Sequence, residues 1–379
     1  MSKEVFISYS NDADESLVNS IRLFFEQRLI SVFSYKHEED RYGESLTNII
    51  DNEIKDCKYF FLLATDRAMS SKWINFEIGA AKKYKKRLFV LKYKGIDIAR
   101  LPEDLRDIKV IEFTYADEVV QILTKMDEWG LNVYIPAGGF GAGKIEFSPD
   151  VPKVLYPIGD RPMLFHVINA LVSDAFNKVI IINKRTSSSE LIEYLTGLET
   201  YRVEVICKST DLGNWPEALV ELKPKNTFVL QLCDVILWLQ GDSSLSTLRV
   251  NWNSVVEQHK RNRQKPDYLG TLIVSRHYKI PAGKVDVEEG NTVKSVEENP
   301  LTKNMTISYI NTGTAILEPD ILNYVESTDE SLLGEGIQKA MKDGKQFGAF
   351  IWGKWYHILN QDNWNNLHRE YLTRIKKED

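Results

Sequence analysis

Short apolar segments alternate with amphipathic segments along the first third of the chain. The apolar segments are rich in Val, Ile, Leu and Phe and are bounded by polar residues, which is typical of strands buried on both faces. They predict five β-strands near residues 5–9, 30–35, 59–64, 87–93 and 109–113. The amphipathic segments predict helices near residues 14–28, 45–55 and 116–129. This alternation favours a parallel sheet with helices on both sides.

The pattern restarts at Leu131 and later changes. A strand in LNVYIPAGG and a Gly-rich loop are followed by a helix from about Met163 and by strands near residues 178–182, 202–207 and 228–232. After about Tyr268 the strands are short, and Gly290 and Asn291 lie between two alternating segments as in a β-hairpin. The second half is therefore predicted to be mixed α/β.

The junction between the two patterns is short. A chain of 379 residues has room for two or three domains. No linker rich in Pro, Ser or Gly separates the two patterns. We therefore expect two domains, residues 1–129 and 130–379, joined by a stiff junction at Trp129 and Gly130.

Composition excludes several classes of function. The chain has 48 Lys plus Arg and 54 Asp plus Glu, a net charge of −6, which leaves no positive excess for general nucleic-acid binding. Cys57, Cys207 and Cys233 show no CxxC spacing, which argues against a disulfide framework or a zinc cluster and favours a reducing cytoplasm. The sequence shows neither a leader pattern nor a long apolar run, so a cytoplasmic protein that does not span a membrane is expected.

Three motifs resemble the signature of TIR domains over about residues 1–128. The first strand reads VFISYSNDAD, the loop after the second strand contains DRYGES, and the helix after the third contains SSKWINFEIGAA. The family fold is flavodoxin-like, with a five-stranded parallel sheet, which agrees with the strand count above. Some TIR domains only self-associate, and others cleave the nicotinamide glycosidic bond of NAD.

Glu77 separates these two kinds of TIR domain, because it matches the catalytic glutamate of the NAD-cleaving members. Nicotinamide leaves as a neutral molecule, so one carboxylate that stabilises the oxocarbenium ion suffices. Trp73 lies one helical turn earlier and would form an aromatic wall beside the ribose and nicotinamide. Ser8, Tyr9 and Ser10 follow the first strand, at the edge where parallel sheets bind ligands.

Gly43 and Ser45 flank the loop after the second strand and complete the predicted NAD contacts; Ser45 is also placed to cap the next helix. Structural alternatives remain for this set. Glu77 would then be a solvated helix residue and Trp73 a packing residue. The serines after the first strand would only shape the loop backbone.

The segment PAGGFGAGKIEFSPDVPKVLYPIGDRPMLFHVI resembles the opening of sugar-phosphate nucleotidyltransferases, whose pattern is AGGxGTRLxPLTxxxPKxLLPV. Glycine lacks a Cβ, so such a loop lets backbone N–H groups approach nucleotide phosphates. Further matches continue to about residue 370 and imply a Rossmann-like mixed α/β domain. The resemblance implies a metal contact from Asp234 and nucleotide or nucleotide-sugar contacts from Gly138, Gly139, Gly141, Lys153, Glu298 and Asn311.

Several positions depart from this family pattern. Its Thr-Arg pair is Ala142 and Gly143 here, so the arginine that would hold the triphosphate is missing. Lys144 follows, but an ammonium is a point charge and not a bidentate group. The second metal-binding aspartate aligns with His357, and Asp362 lies nearby as an alternative ligand. Mg²⁺ prefers oxygen ligands. We therefore expect a nucleotide-sized pocket that has lost transfer chemistry.

Mg²⁺ at Asp234 stays open as an alternative, although Cys233 replaces the glycine before it and narrows the approach. Lys153 is alternatively an exposed loop lysine, and Asp234 a capping residue. Glu298 and Asn311, which would contact the sugar, are alternatively hairpin residues. His166 is expected to be a packed helix histidine.

The two resemblances imply one function and leave one alternative. The first is an NAD⁺ hydrolase, or an ADP-ribose cyclase or transferase, whose second domain senses a nucleotide or nucleotide-sugar. By analogy with bacterial TIR enzymes it would be an anti-phage effector that assembles as a homo-oligomer through its TIR domains. The alternative is a non-catalytic TIR signalling or scaffold protein that carries an active sugar-phosphate nucleotidyltransferase.

Overall fold

The computed structural model divides the chain into two compact units, Met1–Gly130 and Leu131–Asp379. It describes residues 3–10, 15–34, 45–106, 108, 110–124, 126, 129–137, 153–171, 173, 175–184, 204–210, 215–237, 245–276, 284–288, 291–297, 309–326 and 331–378. Within these ranges no helix is both long and apolar enough to cross a membrane.

The first unit is a five-stranded parallel sheet with strand order β2-β1-β3-β4-β5. Its strands are β1 Val5–Ser8, β2 Val32–Phe33, β3 Tyr59–Ala64, β4 Arg87–Tyr93 and β5 Val110–Phe113. Its helices are α1 Glu15–Glu26, α2 Leu46–Asp56, α3 Asp66–Ser70, α4 Lys72–Lys83, α5 Glu103–Arg106 and α6 Ala116–Thr124, with a 3₁₀ turn at Ile98–Arg100. The predicted parallel α/β sheet is confirmed.

The two faces of this sheet carry separate cores. Val5 and Ile7 of β1 pack toward α1 and α6, whereas Phe6 packs toward α2 and α4. Side chains alternate along a strand, so Ser8 shares the face of Phe6. This alternation brings the last residue of β1 to the layer that contains α4.

The last predicted helix of the unit is shorter than expected. Helix α6 ends at Thr124, whereas the sequence pattern extends it to Trp129. The buried Trp129 indole instead packs edge-on against Phe25 and Tyr59, with ring centroids 5.0 and 4.8 Å apart. Gly130 follows with φ +93°, a backbone conformation that favours glycine.

The second unit is built on a nine-stranded mixed sheet with order β10-β9-β6-β11-β16-β13-β17-β15-β14. Its strands are β6 Leu131–Pro136, β7 Pro157–Ile158, β8 Arg161–Pro162, β9 Phe176–Lys184, β10 Glu204–Thr210, β11 Phe228–Gln231, β12 Val235–Leu237, β13 Tyr268–Ser275, β14 Lys284–Glu288, β15 Thr292–Glu297, β16 Tyr309–Leu317, β17 Gln346–Trp352 and β18 Trp355–His357. Its helices are α7 Met163–Asn169, α8 Trp215–Leu222, α9 Leu245–Asn262, α10 Ile337–Lys342 and α11 Gln361–Glu378, with 3₁₀ turns at Lys153–Leu155 and Pro319–Tyr324 and a π-helical turn at Leu332–Gly336.

This sheet combines parallel and antiparallel pairs. Strands β10, β9, β6 and β11 are parallel, and β16 runs antiparallel between β11 and β13. Strands β14 and β15 form the predicted antiparallel hairpin, in which Asn291 has φ +59°. The expected mixed α/β fold is confirmed. Because β6 and β11 are parallel, the segments that follow them emerge at the same edge of the sheet.

Candidate functional site

The first candidate site is centred on Glu77 of α4. Thr65 caps α3 by accepting a hydrogen bond from the Ala68 N–H at 3.2 Å, and α4 begins at Lys72 after the extended residue Ser71. The inner face of α4 is apolar and packs toward the sheet. Glu77 lies on this buried face and is only 8% exposed. The alternative that Glu77 is a solvated helix residue is therefore wrong.

Ser8 is the described partner of this carboxyl group. The Ser8 hydroxyl donates a hydrogen bond of 2.5 Å to Glu77 Oε2, which joins the end of β1 to the middle of α4. Burial raises the pKa of Glu77 to about 7, and the hydrogen bond from Ser8 opposes this rise. Near neutral pH the carboxyl group is therefore poised between its two protonation states. A buried carboxyl with such a pKa at a ligand-binding edge is a candidate catalytic group.

Two further hydroxyls lie at the carboxyl ends of neighbouring strands. Ser10 follows β1 and Ser34 follows β2, and their buried Oγ atoms have no hydrogen-bond partner among the described residues. Ser34 is only 2% exposed. Buried hydroxyls are normally hydrogen-bonded, so each of these calls for an explanation. The sequence interpretation did not include Ser34; the available signal was a polar residue directly after an apolar strand.

The aromatic residues of the predicted site lie in different environments. Trp73 is 46% exposed and meets the exposed Phe76 edge-on, with ring centroids 6.2 Å apart. The alternative that Trp73 is a core packing residue is therefore wrong. Tyr9 packs against the core on the α1 and α6 side, on the face opposite to Glu77.

Ser45 is the first described residue after the loop that follows β2. Ser45 occupies the N-cap position of α2, but its exposed side chain makes no capping hydrogen bond, so the expected cap is absent. Its backbone carbonyl still accepts the first helical bond, from the Ile49 N–H at 3.0 Å. Gly43 lies outside the described residues.

The second candidate site lies in the turn between β11 and β12. Gln231, at the end of β11, donates through Nε2 to the carbonyls of Leu232 and Val235, each at 2.9 Å. Thr314 of β16 donates to Gln231 Oε1 at 2.9 Å. This buried amide fixes the turn that presents Asp234 at the carboxyl edge of the sheet.

Asp234 is held between two nitrogen groups. Lys153 Nζ lies 2.8 Å and His357 Nε2 3.7 Å from Asp234 Oδ2. The Lys153 and Asp234 side chains are 13% and 20% exposed. The alternative that Lys153 is an exposed loop lysine is therefore wrong. Burial opposes ionisation of Asp234, but its interactions with His357 and with the Lys153 ammonium outweigh burial and hold the pKa of Asp234 well below its usual range.

Comparison with known families identifies the two units. Residues 134–371 match the family model described as nucleotidyl transferase, and residues 5–123 match that of the TIR domain. The chain belongs to the nucleotidyl transferase family and carries a TIR domain. The predicted fusion of these two families is confirmed.

The nucleotidyl transferase relatives are distant. A mannose-1-phosphate guanyltransferase from Aspergillus oryzae is 24% identical over 262 residues, 66% of this chain and 66% of that protein. A UTP--glucose-1-phosphate uridylyltransferase from Synechocystis is 22% identical over 227 residues, 58% of this chain and 57% of that protein. The chain thus spans just under two thirds, or less, of the length of these curated relatives.

Solved structures support the same fold. A Bacillus anthracis protein assigned as a glucose-1-phosphate thymidylyltransferase, solved with sucrose, has a TM-score of 0.51 at 16% identity over 64% of this chain and 95% of that chain. The inositol-1-phosphate CTP transferase from T. maritima has a TM-score of 0.50 at 17% identity over 65% of this chain and 96% of that chain. At such identities the likeness shows the fold alone.

The described donor groups around Asp234 do not fit Mg²⁺, the metal that the resemblance implies. Mg²⁺ requires several hard oxygen ligands, whereas the groups around Asp234 are an ammonium and an imidazole. Asp362 lies exposed in the first turn of α11. Among the described residues, no three His, Cys, Asp or Glu side chains converge to hold a metal. Burial raises the pKa of the Cys233 thiol to about 12, so the thiol stays neutral and supplies no thiolate ligand for a metal.

The remaining predicted contacts of the nucleotidyl transferase unit fall into two groups. Asn311 is buried, and its amide bonds within the fold: Oδ1 accepts from the Gly313 N–H at 3.0 Å and Nδ2 donates to the Leu333 carbonyl at 3.4 Å. Gly313 has φ +81°, and a Cβ there would lie 2.8 Å from Leu232 Cδ1. The other group lies outside the described residues: Gly138, Gly139, Gly141, Ala142, Gly143, Lys144 and Glu298.

His166 has the structural role that its position in α7 predicts. It is buried, its Nε2 lies 2.9 Å from the Ile158 carbonyl, and its ring packs edge-on against Tyr371. Burial lowers its pKa, so a neutral ring is favoured. The prediction of a packed helix histidine is confirmed.

Proposed function

We propose that the TIR domain cleaves the nicotinamide glycosidic bond of NAD⁺ with Glu77 as the catalytic carboxylate. The observation that carries this proposal is the buried Glu77 carboxyl group, which is hydrogen-bonded by Ser8 at 2.5 Å beside the carboxyl edge of the parallel sheet. Open parallel sheets bind their ligands at this edge. Burial also keeps the carboxyl group out of bulk water. In the less polar interior of the protein its charge acts more strongly on a reacting atom.

The reaction needs one anionic group and one water molecule. The bond between ribose C1′ and the pyridinium nitrogen breaks, and its electron pair leaves with nicotinamide, which becomes neutral. The Glu77 carboxylate stabilises the oxocarbenium ion that remains on the ribose. Water then attacks C1′ and loses a proton, which a carboxyl with a pKa of about 7 accepts, giving ADP-ribose. Cyclisation or transfer shares the first step and differs only in the nucleophile.

The surrounding residues supply binding groups for this reaction. The half-exposed Trp73 ring offers a surface on which the nicotinamide or ribose can stack. The Oγ atoms of Ser10 and Ser34 offer hydrogen bonds that no described group satisfies. Contacts from Tyr9, Gly43 and Ser45 stay predictions.

The nucleotidyl transferase unit is proposed to bind a nucleotide or nucleotide-sugar and to control the TIR domain. The relatives' names describe transfer of nucleotidyl groups to mannose-1-phosphate and glucose-1-phosphate. Lys153 is the described residue best suited to a phosphate group, because its ammonium lies at the carboxyl edge and retains two further donors. The Gly-rich loop and Glu298 complete the proposed contacts, and the functional boundary is proposed at Trp129 and Gly130. A sugar contact from Asn311 stays a prediction, because its amide is bonded within the fold.

The cellular role follows from the resemblance to bacterial TIR enzymes. The chain would act in the cytoplasm as an anti-phage effector that removes NAD⁺ when its ligand appears. Its active form would be a homo-oligomer assembled through TIR domains.

Incubation of the purified full chain with NAD⁺ tests this function. Chromatography of the products with and without UDP-glucose and GDP-mannose, over a range of protein concentrations, is expected to show nicotinamide and an ADP-ribose product that increase with the ligand. The Glu77→Gln variant should form neither product. Unchanged NAD⁺ at every protein and ligand concentration would refute the proposal.

A second candidate function is an active sugar-phosphate nucleotidyltransferase with a non-catalytic TIR domain. It is favoured by the family match across residues 134–371. The donor set around Asp234 argues against it, because the transfer reaction relies on a bound metal in the family it resembles. Pyrophosphate release from nucleoside triphosphates and sugar 1-phosphates with Mg²⁺ would establish this function if Asp234→Ala abolished it.

A further inference from the structure

Asp234 is paired with a cationic side chain of the protein. The Lys153 ammonium forms an ion pair of 2.8 Å with Asp234 Oδ2, and His357 Nε2 approaches the same oxygen at 3.7 Å. Lys153 lies at the start of the 3₁₀ turn at Lys153–Leu155, and His357 at the end of β18, opposite Val235 in the β12–β18 pair. Two separate segments therefore place nitrogen groups around the oxygen that a metal would need.

A divalent cation is poorly accommodated at this site. It would bring two positive charges beside an ammonium, with a single described carboxylate to offset all three. Asp234 Oδ2 already accepts a charge-assisted hydrogen bond from Lys153, so a metal at this oxygen would compete with the ammonium for it. No other described acidic side chain converges on the site to replace it.

An anion fits the same groups without rearrangement. An ammonium has three donors. Among the described residues Lys153 uses one of them, on Asp234, which leaves two for the oxygens of a phosphate. The ion pair fixes Nζ at the carboxyl edge, so little side-chain entropy remains to be lost when a phosphate binds. Asp234 then acts as a positioning residue, which orients the ammonium instead of binding a metal.

We propose that the nucleotidyl transferase unit binds the diphosphate of a nucleotide-sugar without a divalent cation. Lys153 donates hydrogen bonds to the phosphate oxygens, and Asp234 positions the Lys153 ammonium. This inference rests on the proposed function, in which this unit binds such a ligand. It changes the expected chemistry of the site from catalysis assisted by a metal to recognition alone.

Two measurements on the full chain test this inference separately from the proposed function. The first is electron paramagnetic resonance of Mn²⁺ with no nucleotide present. The wild-type chain is expected to show no Mn²⁺ site that depends on Asp234. A bound Mn²⁺ signal that disappears in Asp234→Asn would overturn the inference and leave the NAD⁺-cleaving function untouched.

The second measurement is calorimetric titration with UDP-glucose and GDP-mannose, in EDTA and in excess Mg²⁺. The dissociation constant of the bound sugar nucleotide should be the same within about twofold in the two conditions. An affinity that is about tenfold weaker in EDTA would overturn metal-free binding but keep the sensor. Absence of binding in both conditions would refute the sensor and the inference together.

Substitutions give opposite signs for the two kinds of site. Asp234→Asn removes the metal ligand from a site that needs a metal, and binding is then lost. In the site proposed here the Asn amide oxygen still accepts the Lys153 hydrogen bond that orients the ammonium, and a negative charge near the phosphate is removed, so affinity should be retained or improve by about threefold. Lys153→Met should weaken binding about tenfold or more, also in EDTA. Lys294→Met, which changes an exposed lysine of β15, is the matched control and should bind like wild type.

Discussion

Each unit carries a carboxyl group near the carboxyl edge of its parallel strands. The partner of one carboxyl group is neutral, whereas the nearest partner of the other is a cation. Glu77 is bonded by the neutral Ser8 hydroxyl, and burial raises its pKa to about 7. Asp234 is partly buried, but Lys153 and His357 hold its pKa well below the usual range. The partner of a carboxyl group, more than its burial, therefore decides whether the group can exchange a proton near neutral pH. Glu77 is free to exchange a proton near neutral pH, whereas Asp234 stays ionised and paired.

The largest expected effect is the loss of NAD⁺ cleavage in Glu77→Gln. The amide keeps the shape of the side chain but carries no charge for the oxocarbenium ion, so the rate should fall on the order of 10³-fold. Steady-state release of nicotinamide measures this. Glu53→Gln is the matched control, because Glu53 is a buried glutamate near the end of α2, toward the amino edge of the strands. Equal losses in the two variants would contradict a catalytic role for Glu77.

The second expected effect is a loss of stability when the ion pair of Asp234 is removed. Lys153→Met leaves the Asp234 charge partly buried without its ion pair, which should cost about 3 kcal/mol in the free energy of unfolding. Urea denaturation of the full chain measures the loss. Lys294→Met should change stability by less than about 1 kcal/mol, since its ion pair with Glu288 is exposed and 4.0 Å long. A similar small loss in Lys153→Met would mean that the pair does not hold Asp234 in solution.

Much of the fold follows from the sequence pattern, because strand and helix periodicity is local. Strands β3 and β4 have the predicted bounds, and the parallel sheet follows from continuous apolar runs. Strand β2 is two residues long, against six predicted, and the buried Ser34 hydroxyl after it has no hydrogen-bond partner within the described part of the chain. Apolar periodicity measures burial and not hydrogen-bond pairing, so it overestimates such a strand.

The sites depend on contacts between distant segments, which periodicity does not encode. Ser8 meets Glu77 across 69 residues, and Lys153 meets Asp234 across 81 residues. The motifs identified all four residues but not these pairings. Asn311 was predicted as a sugar contact from its motif, but a local backbone bond to Gly313 and a contact with the Leu333 carbonyl engage its amide. Whether a motif residue faces a ligand or the fold is decided by such contacts.

The third prediction concerns the pH dependence of stability, which should have opposite signs at the two carboxyl groups. Between about pH 4.5 and 7 the folded TIR domain binds more protons at Glu77 than the unfolded chain does, so its free energy of unfolding falls as pH rises, by about 2 kcal/mol. The pKa of Asp234 is lowered, so its stabilisation is present above about pH 4 and is lost as pH falls further. Calorimetric unfolding at several pH values measures both, with Glu77→Gln and Asp234→Asn isolating each contribution. A Glu77→Gln curve parallel to that of wild type would contradict the raised pKa.

The smallest expected effect is on the pH profile of Ser8→Ala. The Ser8 hydroxyl hydrogen-bonds the ionised form of Glu77, and its removal, worth about 1 kcal/mol, should raise the pKa of Glu77 above about 7. Since cleavage needs the carboxylate, the rate near pH 7 should fall about three- to fivefold, and the loss should disappear as pH rises past the new pKa. Nicotinamide release measured from about pH 6 to 9 shows this displacement. Ser20→Ala on α1, whose exposed hydroxyl donates to the Ser16 carbonyl, should leave the profile unchanged. A loss in Ser8→Ala that is equal at every pH would instead mean that Ser8 acts on binding or folding and leaves the proton affinity of Glu77 unaltered.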